Sequence, residues 1–190
     1  MNKDEEVKSA ILEAAKRVFN KWGLNKTTME DISHEAGKGK STLYYYYKSK
    51  EEILETLALS ELTNIAVRAR AAIGSIDSPK EKLKKYVSTT LSEIKKTVSI
   101  YPLVKGEIKG NKEFIDNIRT KFDNSEEMII KEILTLGLEI GEFNFLKENE
   151  LEKAANVIVG IIRGLELYLF LENEDSDKID IATRLLAEGL

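Results

Sequence analysis

The chain contains no cysteine, a single histidine and two prolines. Without cysteine there can be no disulfide framework, no thiolate zinc site and no thiol nucleophile, and the composition fits a reducing compartment. His34 alone cannot furnish a histidine-based metal site, and it leaves little material for a Ser-His-Asp triad. Long apolar runs are missing too. The longest, starting at Val157, is cut by Arg163 and Glu166, well short of the roughly 20 residues that a membrane helix needs. The opening residues MNKDEEVKS hold no apolar signal core. What the chain does hold is 42% hydrophobic and 33% charged residues over 190 positions, enough to fill a core and solvate a surface. The expectation is a soluble, cytoplasmic, non-catalytic protein with no cofactor, no metal and no membrane partner.

With so little proline, helices can run long. Only Pro79 and Pro102 interrupt the chain by ring geometry, and the glycines mostly fall between apolar-periodic runs. Leu83, Val87, Leu91, Ile94 and Val98 recur at steps of three and four, as do Ile115, Ile118 and Phe122, and then Ile129, Ile133, Leu136 and Ile140. No segment alternates with period two for long enough to form a strand, so the fold class is all-α. Punctuation predicts nine helices. They run over about 5–22, 28–36, 40–46, 49–73, 79–101, 103–109, 112–140, 149–171 and 177–188. The first should stop at Gly23 and bury Val7, Ile11, Ala15, Val18 and Trp22. Capping boxes are expected at Thr27 with Glu30 and at Ser49 with Glu52, and Ser78-Pro79 with Glu81 marks another start.

Charge is unevenly spread. Residues 1–50 hold ten Lys/Arg against seven Asp/Glu, so the net acidity of the chain resides in the remainder. Lys38, Lys40, Lys48 and Lys50 lie in a stretch without any acid. Local sign matters more than the total, because phosphate attraction is screened beyond about 8 Å at physiological salt. These lysines surround two short helices joined by a glycine-bearing turn, Thr27 to Leu54, in which Gly37 permits a positive φ. Ile32 with Ala36, and Leu43 with Tyr47, would be the buried faces. Lys40, Ser41, Thr42, Tyr44 and Tyr45 are left on the N-terminal half of the second helix, the half that a helix-turn-helix inserts into the major groove. Lysine suits phosphate or guanine, Ser and Thr suit either, and aromatic rings suit thymine methyls or phosphate oxygens.

At these residues the segment resembles the DNA-binding domain of the TetR (tetracycline repressor) family of bacterial transcriptional regulators. The matching positions are Thr27 and Thr28, Ile32 with Ser33, Ala36 and Gly37, Thr42-Leu43-Tyr44, Tyr47, and Lys50-Glu51. Weaker support comes from GEFNF, Gly141 to Phe145, ahead of a helix bearing Gly160 and Gly164. The resemblance implies a helix-turn-helix domain over residues 1–48, followed by a ligand-binding and dimerisation domain over residues 49–190. It further implies a repressor released from a pseudo-palindromic operator by a small-molecule effector. Its DNA-facing set would be Thr27, Thr28, Lys38, Lys40, Ser41, Thr42, Tyr44, Tyr45, Tyr46 and Lys50. Lys38 stands where the family often has an apolar turn residue, and is either an extra DNA contact or simply solvated. Tyr46 could reach a phosphate, whereas Tyr47 belongs to the core.

Other groups have plainer readings. His34 is a surface residue, and the carboxylate pairs Glu51-Glu52 and Glu126-Glu127 are solvated helix faces rather than acid–base pairs. No P-loop, nucleotide fingerprint or metal-ligand spacing is present. The helix from Leu151 to Leu171 confines Glu152, Asn156, Arg163 and Glu166 to one narrow stripe and is otherwise apolar. Such a helix needs cover on several sides, which a second protomer would supply, with close approach at Gly160 and Gly164. Among the middle helices, Tyr86, Tyr101, Phe122 and Tyr168 are the candidate effector contacts. Few charges point at that core, which favours a lipophilic or aromatic effector over a highly charged one. The rival reading is a helical ligand-binding or protein-interaction module without sequence-specific DNA binding, which leaves the Thr27–Leu54 segment unexplained.

Overall fold

The computed structural model describes residues 3–100, 105–107, 111–172, 181, 184 and 185. These are helical throughout apart from turns, with no strand among the described residues. In chain order the helices are α1 (Lys3–Lys26), α2 (Met29–Glu35), α3 (Lys40–Tyr46), α4 (Lys50–Ala72), α5 (Pro79–Ile100), α6 (Lys112–Glu139) and α7 (Leu151–Glu172). A single 3-10 turn, Glu148–Glu150, leads into α7. Residues 105–107 are also helical, where the short sixth helix is expected. The predicted last helix, 177–188, falls mostly outside the described residues.

Helix ends follow local chemistry. Asp4, Glu5 and Glu6 sit in the first turn of α1 and Lys26 in its last, each matching the helix dipole. The regular helix breaks at Gly23, whose φ of 78° favours glycine. At α4, Glu52 N donates to Ser49 Oγ at 3.2 Å, and at α5, Glu81 N donates to Ser78 Oγ at 3.3 Å. The box ahead of α2 is shifted by one residue from the sequence expectation. Thr28, not Thr27, is the N-cap, and its partner is Asp31. Two adjacent threonines, each followed three residues on by an acid, make that choice ambiguous in sequence.

The chain packs as two compact units, one of Met1–Glu61 with Val98–Ile118 and one of Leu62–Thr97 with Arg119–Leu190. In the first, Ile11, Ala15, Val18 and Phe19 from α1 meet Met29 and Ile32 from α2, Leu43 from α3, Tyr47, and Ile53 and Leu54 from α4. Each such aliphatic or aromatic side chain contributes about 1.5–3 kcal/mol when fully buried. Phe114, from far along the chain, packs on the same cluster. Trp22 departs from expectation. It is 40% exposed, with the Lys21 ammonium 4.9 Å from its ring centre.

In the second unit the predicted apolar faces are buried: Leu83, Val87, Leu91 and Ile94 on α5, and Phe122, Ile129 and Ile133 on α6. Ile130 and Leu134 widen the α6 face, while Ile140, beyond the last turn, is exposed. The end of α6 is set by Gly141, with φ 81°, after which Phe143 N donates back to Gly137 O at 3.0 Å. The buried Phe143 ring then covers Gly137, and a side chain at position 137 would collide with it.

Two charged residues contradict the sequence reading of this unit. Glu126, read as part of a solvated face, is only 2% exposed, and Glu166, from the polar stripe of α7, only 1%. Both carboxyls lie inside because ion pairs and hydroxyl groups on neighbouring helices meet them there.

Candidate nucleic-acid interface

Helices α2 and α3 are joined by a tight turn that depends on Gly37, whose φ is 61°. Gly37 N donates to His34 O at 3.1 Å and Lys38 N to Ser33 O at 3.0 Å, so the carbonyls at the end of α2 are satisfied within the turn. Gly39 is the N-cap of α3. Ahead of α2, Asp31 N donates to Thr28 Oγ1 at 3.2 Å, and Thr28 N donates to Asp31 Oδ2 at 2.9 Å. The bonds from Thr28 hold the Asp31 carboxyl below its ordinary range.

Leu43 and Tyr47 point into the core, as their spacing predicts, and this fixes the roll of α3. Lys40, Ser41, Tyr44 and Tyr45 therefore face outward, with Thr42 half-buried. Tyr45 is 79% exposed, an uncommon position for so large an apolar ring. Its edge meets the Tyr46 ring at 89° with centroids 4.9 Å apart, which restrains both. The Tyr46 hydroxyl donates to Asp4 Oδ1 at 2.7 Å, tying the end of α3 to the start of α1. Thr28, Lys38 and His34 are exposed.

Lys40 is not a bare cation. It ion-pairs with Glu30 on α2, and its ammonium lies 5.8 Å from the Tyr44 ring centre. The hydrogen bond with Lys40 lowers the Glu30 pKa, and the same bond raises that of Lys40. An approaching phosphate must therefore exchange with Glu30 for the lysine.

Two residues that the sequence reading places on DNA turn inward. Thr27 is 1% exposed, and its hydroxyl donates to Gly23 O at 2.6 Å. The Lys50 ammonium donates to three carbonyls, Leu24 at 2.7 Å, Thr27 at 2.9 Å and Asn25 at 3.2 Å. Both act on the turn between α1 and α2. Sequence reasoning missed the third member of this clamp, Glu107. Its carboxylate accepts from Leu24 N and from Asn25 N, the latter at 3.1 Å. A separation of more than eighty residues leaves no local signal for it.

Of the candidate effector contacts, Tyr86 and Phe122 are buried in the second unit, whereas Tyr101 and the Tyr168 side chain lie outside the described residues. Gly160 and Gly164 are exposed on α7 beside Val157, 59% exposed, and Ile161. No group of three or more potential ligands is placed to hold a metal ion among the described residues. No described helix is long and apolar enough to cross a membrane.

Residues 11–57 match the family model for bacterial regulatory proteins of the tetR family. An HTH-type transcriptional regulator of Mycobacterium tuberculosis is 27% identical over 122 residues, 60% of each chain. Among solved structures, a Clostridium perfringens protein named as a fatty acid metabolism regulator is 27% identical with a TM-score of 0.61, covering 95% of this chain and 98% of that one. The transcriptional regulator FadR from Bacillus subtilis, solved with stearoyl-CoA, is 23% identical with a TM-score of 0.70, covering 96% and 98%. The matched model spans α2, α3 and the outward face of Lys40, Ser41, Tyr44 and Tyr45, and the neighbours share the all-helical fold along nearly the whole chain. Residues 11–57 are thus similar to the corresponding segment of bacterial regulatory proteins of the tetR family.

Proposed function

We propose that this protein is a DNA-binding transcriptional regulator, a repressor that leaves a pseudo-palindromic operator when a small molecule binds its second unit. The observation that carries the reading is the outward face of α3. Leu43 and Tyr47 anchor one side of the helix, and Lys40, Ser41, Tyr44 and Tyr45 stand on the other, within the segment that matches the family model. A major groove about 12 Å wide admits such a helix, and its exposed hydroxyls and aromatic edges match base-edge chemistry. Thr28, Lys38, Thr42 and Tyr46 would flank it at the phosphates.

Recognition of a pseudo-palindrome needs two copies of α3 spaced by about 34–36 Å or a multiple of it. Homodimerisation through α7 supports this, since Val157, Gly160, Ile161 and Gly164 form an exposed strip one to two turns long with no bulk at its centre. Effector control would run through α4, a continuous helix from Lys50 to Ala72 whose first turn carries the Lys50 clamp. A ligand in the second unit can shift operator affinity only by its differential affinity for the two states, typically about 1–3 kcal/mol.

Mobility-shift titration against the DNA upstream of the protein's own gene tests the reading. Binding that prefers this DNA over a scrambled duplex, with a steep salt dependence, is the expected result. Salt-dependent binding without sequence preference would leave only an architectural role. No binding at all would favour the module without DNA function.

A further inference from the structure

The second unit encloses a polar seam that DNA recognition does not use. Tyr86 and Thr90 on α5, Glu126 on α6 and Glu166 on α7 are all buried. Around them, Arg119 ion-pairs with Glu166, and Arg163 ion-pairs with Asp123. Two guanidinium groups thus face three carboxyls, and Glu126 is the one left over. Its only hydrogen-bond donor among the described residues is the Tyr86 hydroxyl, at a long 3.5 Å.

An unpaired carboxylate is costly to bury, so the group takes up a proton instead. Burial, reinforced by the Glu166 charge and opposed by Arg119, pushes the Glu126 carboxyl up to about 8. Burial raises Glu166 as well, and its direct ion pair with Arg119 opposes that shift, an opposition by direct pairing that Glu126 lacks. The seam is then neutral overall, with a proton standing where a cation could stand.

Hydrogen bonding in the seam is also incomplete. Thr90 Oγ1 and Glu166 Oε1 are buried without a hydrogen-bond partner, as is the donor Arg163 Nε, while Glu166 Oε2 meets Arg119. Native interiors leave few such groups, and each calls for a reason. Helical spacing sets aliphatic side chains beside the polar ones: Leu83 is three residues before Tyr86, Ile130 four after Glu126, and Ile162 four before Glu166, all buried. A primary ammonium answers the surplus of carboxyl acceptors. It carries a single positive charge and three donors, enough to replace the Glu126 proton and to reach both Glu166 and Thr90.

We propose that this seam recognises the ammonium head of a monocationic amphiphile whose apolar body lies among the aliphatic residues of α5, α6 and α7. The inference rests on the reading of the second unit as the effector-binding one. It assigns the opposite head-group charge to that of the stearoyl-CoA found with the Bacillus subtilis FadR.

Calorimetric titration of the full chain, without DNA, tests it with three probes below their micellar concentrations: dodecylamine, dodecanoate and stearoyl-CoA. Dodecylamine is expected to bind about tenfold or more tighter than either anion, a ratio in keeping with a charge-assisted bond in a dry site. Comparing buffers of different ionisation enthalpy at pH 7 should show about one proton released as Glu126 ionises. Glu126→Gln, nearly isosteric, should abolish that release and weaken dodecylamine by about tenfold. Thr90→Val should weaken it less, and gives an independent check should the first variant fold poorly. Equal or tighter binding of an anion, dodecylamine affinity untouched by both variants, or no binding of any probe would each overturn the proposal.

Mobility shifts separate this from the wider reading. If dodecylamine binds as described but the protein binds no DNA, the site stands and the regulator reading fails. If stearoyl-CoA releases bound DNA equally from wild type and Glu126→Gln, the regulator reading stands and the site fails.

Discussion

The Lys50 ammonium lies 2.7 Å from the carbonyl of Leu24, so the first residue of α4 closes the end of α1 beyond its break at Gly23. Two further carbonyls, of Thr27 and Asn25, complete its donor set. This lysine is first of all a structural cation. Lys50→Met should lower stability by about 1–2 kcal/mol, since charged hydrogen bonds to a partly exposed group are lost. A fall of the thermal midpoint by about 2–8 °C checks this. A midpoint that did not move would return Lys50 to the role of a free phosphate contact.

Tyr45 should behave in the opposite way. It is exposed, and its described contact is the edge of Tyr46. Tyr45→Ala is expected to leave stability within about 0.5 kcal/mol, as exposed substitutions usually do. Operator affinity should fall by about 1–3 kcal/mol if the ring meets a base edge. Melting and mobility shift on the same sample decide between a DNA contact and an idle surface ring.

Removing the Glu126 charge should change how stability varies with pH. The folded carboxyl titrates near 8, well above the ordinary carboxylate value of about 4.3 in the unfolded chain. Between those values the folded state holds the extra proton, so stability falls as pH rises through the window and levels off above it. Glu126→Gln should flatten this decline and gain on wild type from pH 5 to pH 8. Urea midpoints across that range measure it, and parallel profiles would place the unpaired charge elsewhere.

On α7, Gly164→Leu should push the proposed dimer toward monomer. A Cβ at 160 or at 164 meets nothing within 4 Å among the described residues. Sedimentation of both forms at micromolar concentration reads the outcome, and a wild type already monomeric would remove the dimer from the scheme.

Gly137→Ala is the counterpart with a large intramolecular cost. The added methyl would run into the buried Phe143 ring, and overpacking of this kind costs about 1–3 kcal/mol. Urea unfolding of the variant measures the cost directly. Phe143→Leu in the same chain should recover part of the loss, because the two changes share one space.

Legibility in the sequence followed the range of the interaction. Helix ends were readable where a single residue sets them, as at Gly23, Gly37, Ser78 and Gly141. The inward faces of α2 and α3 were readable from Ile32, Leu43 and Tyr47, and with them the outward face of α3. The Thr28 cap was blurred by an identical neighbour. Glu126 and Glu166 were misread because charge normally marks the surface, and only the meeting of three helices shows that they lie inside. The capture of Leu24 and Asn25 by Glu107 left no trace in spacing, because a contact across eighty residues obeys no local period.

That capture limits how the protein can be taken apart. The segment from Val98 to Ile118 is folded into the same compact unit as the first 61 residues, supplying Glu107 to the α1–α2 turn and Phe114 to its core. A chain cut after Glu61 would leave two backbone amides without their acceptor and an aromatic gap against that core. The helix-turn-helix unit is therefore not a detachable cassette. A chimera that grafts it onto another protein must carry the distant segment with it, or inherit a unit whose first turn has come loose.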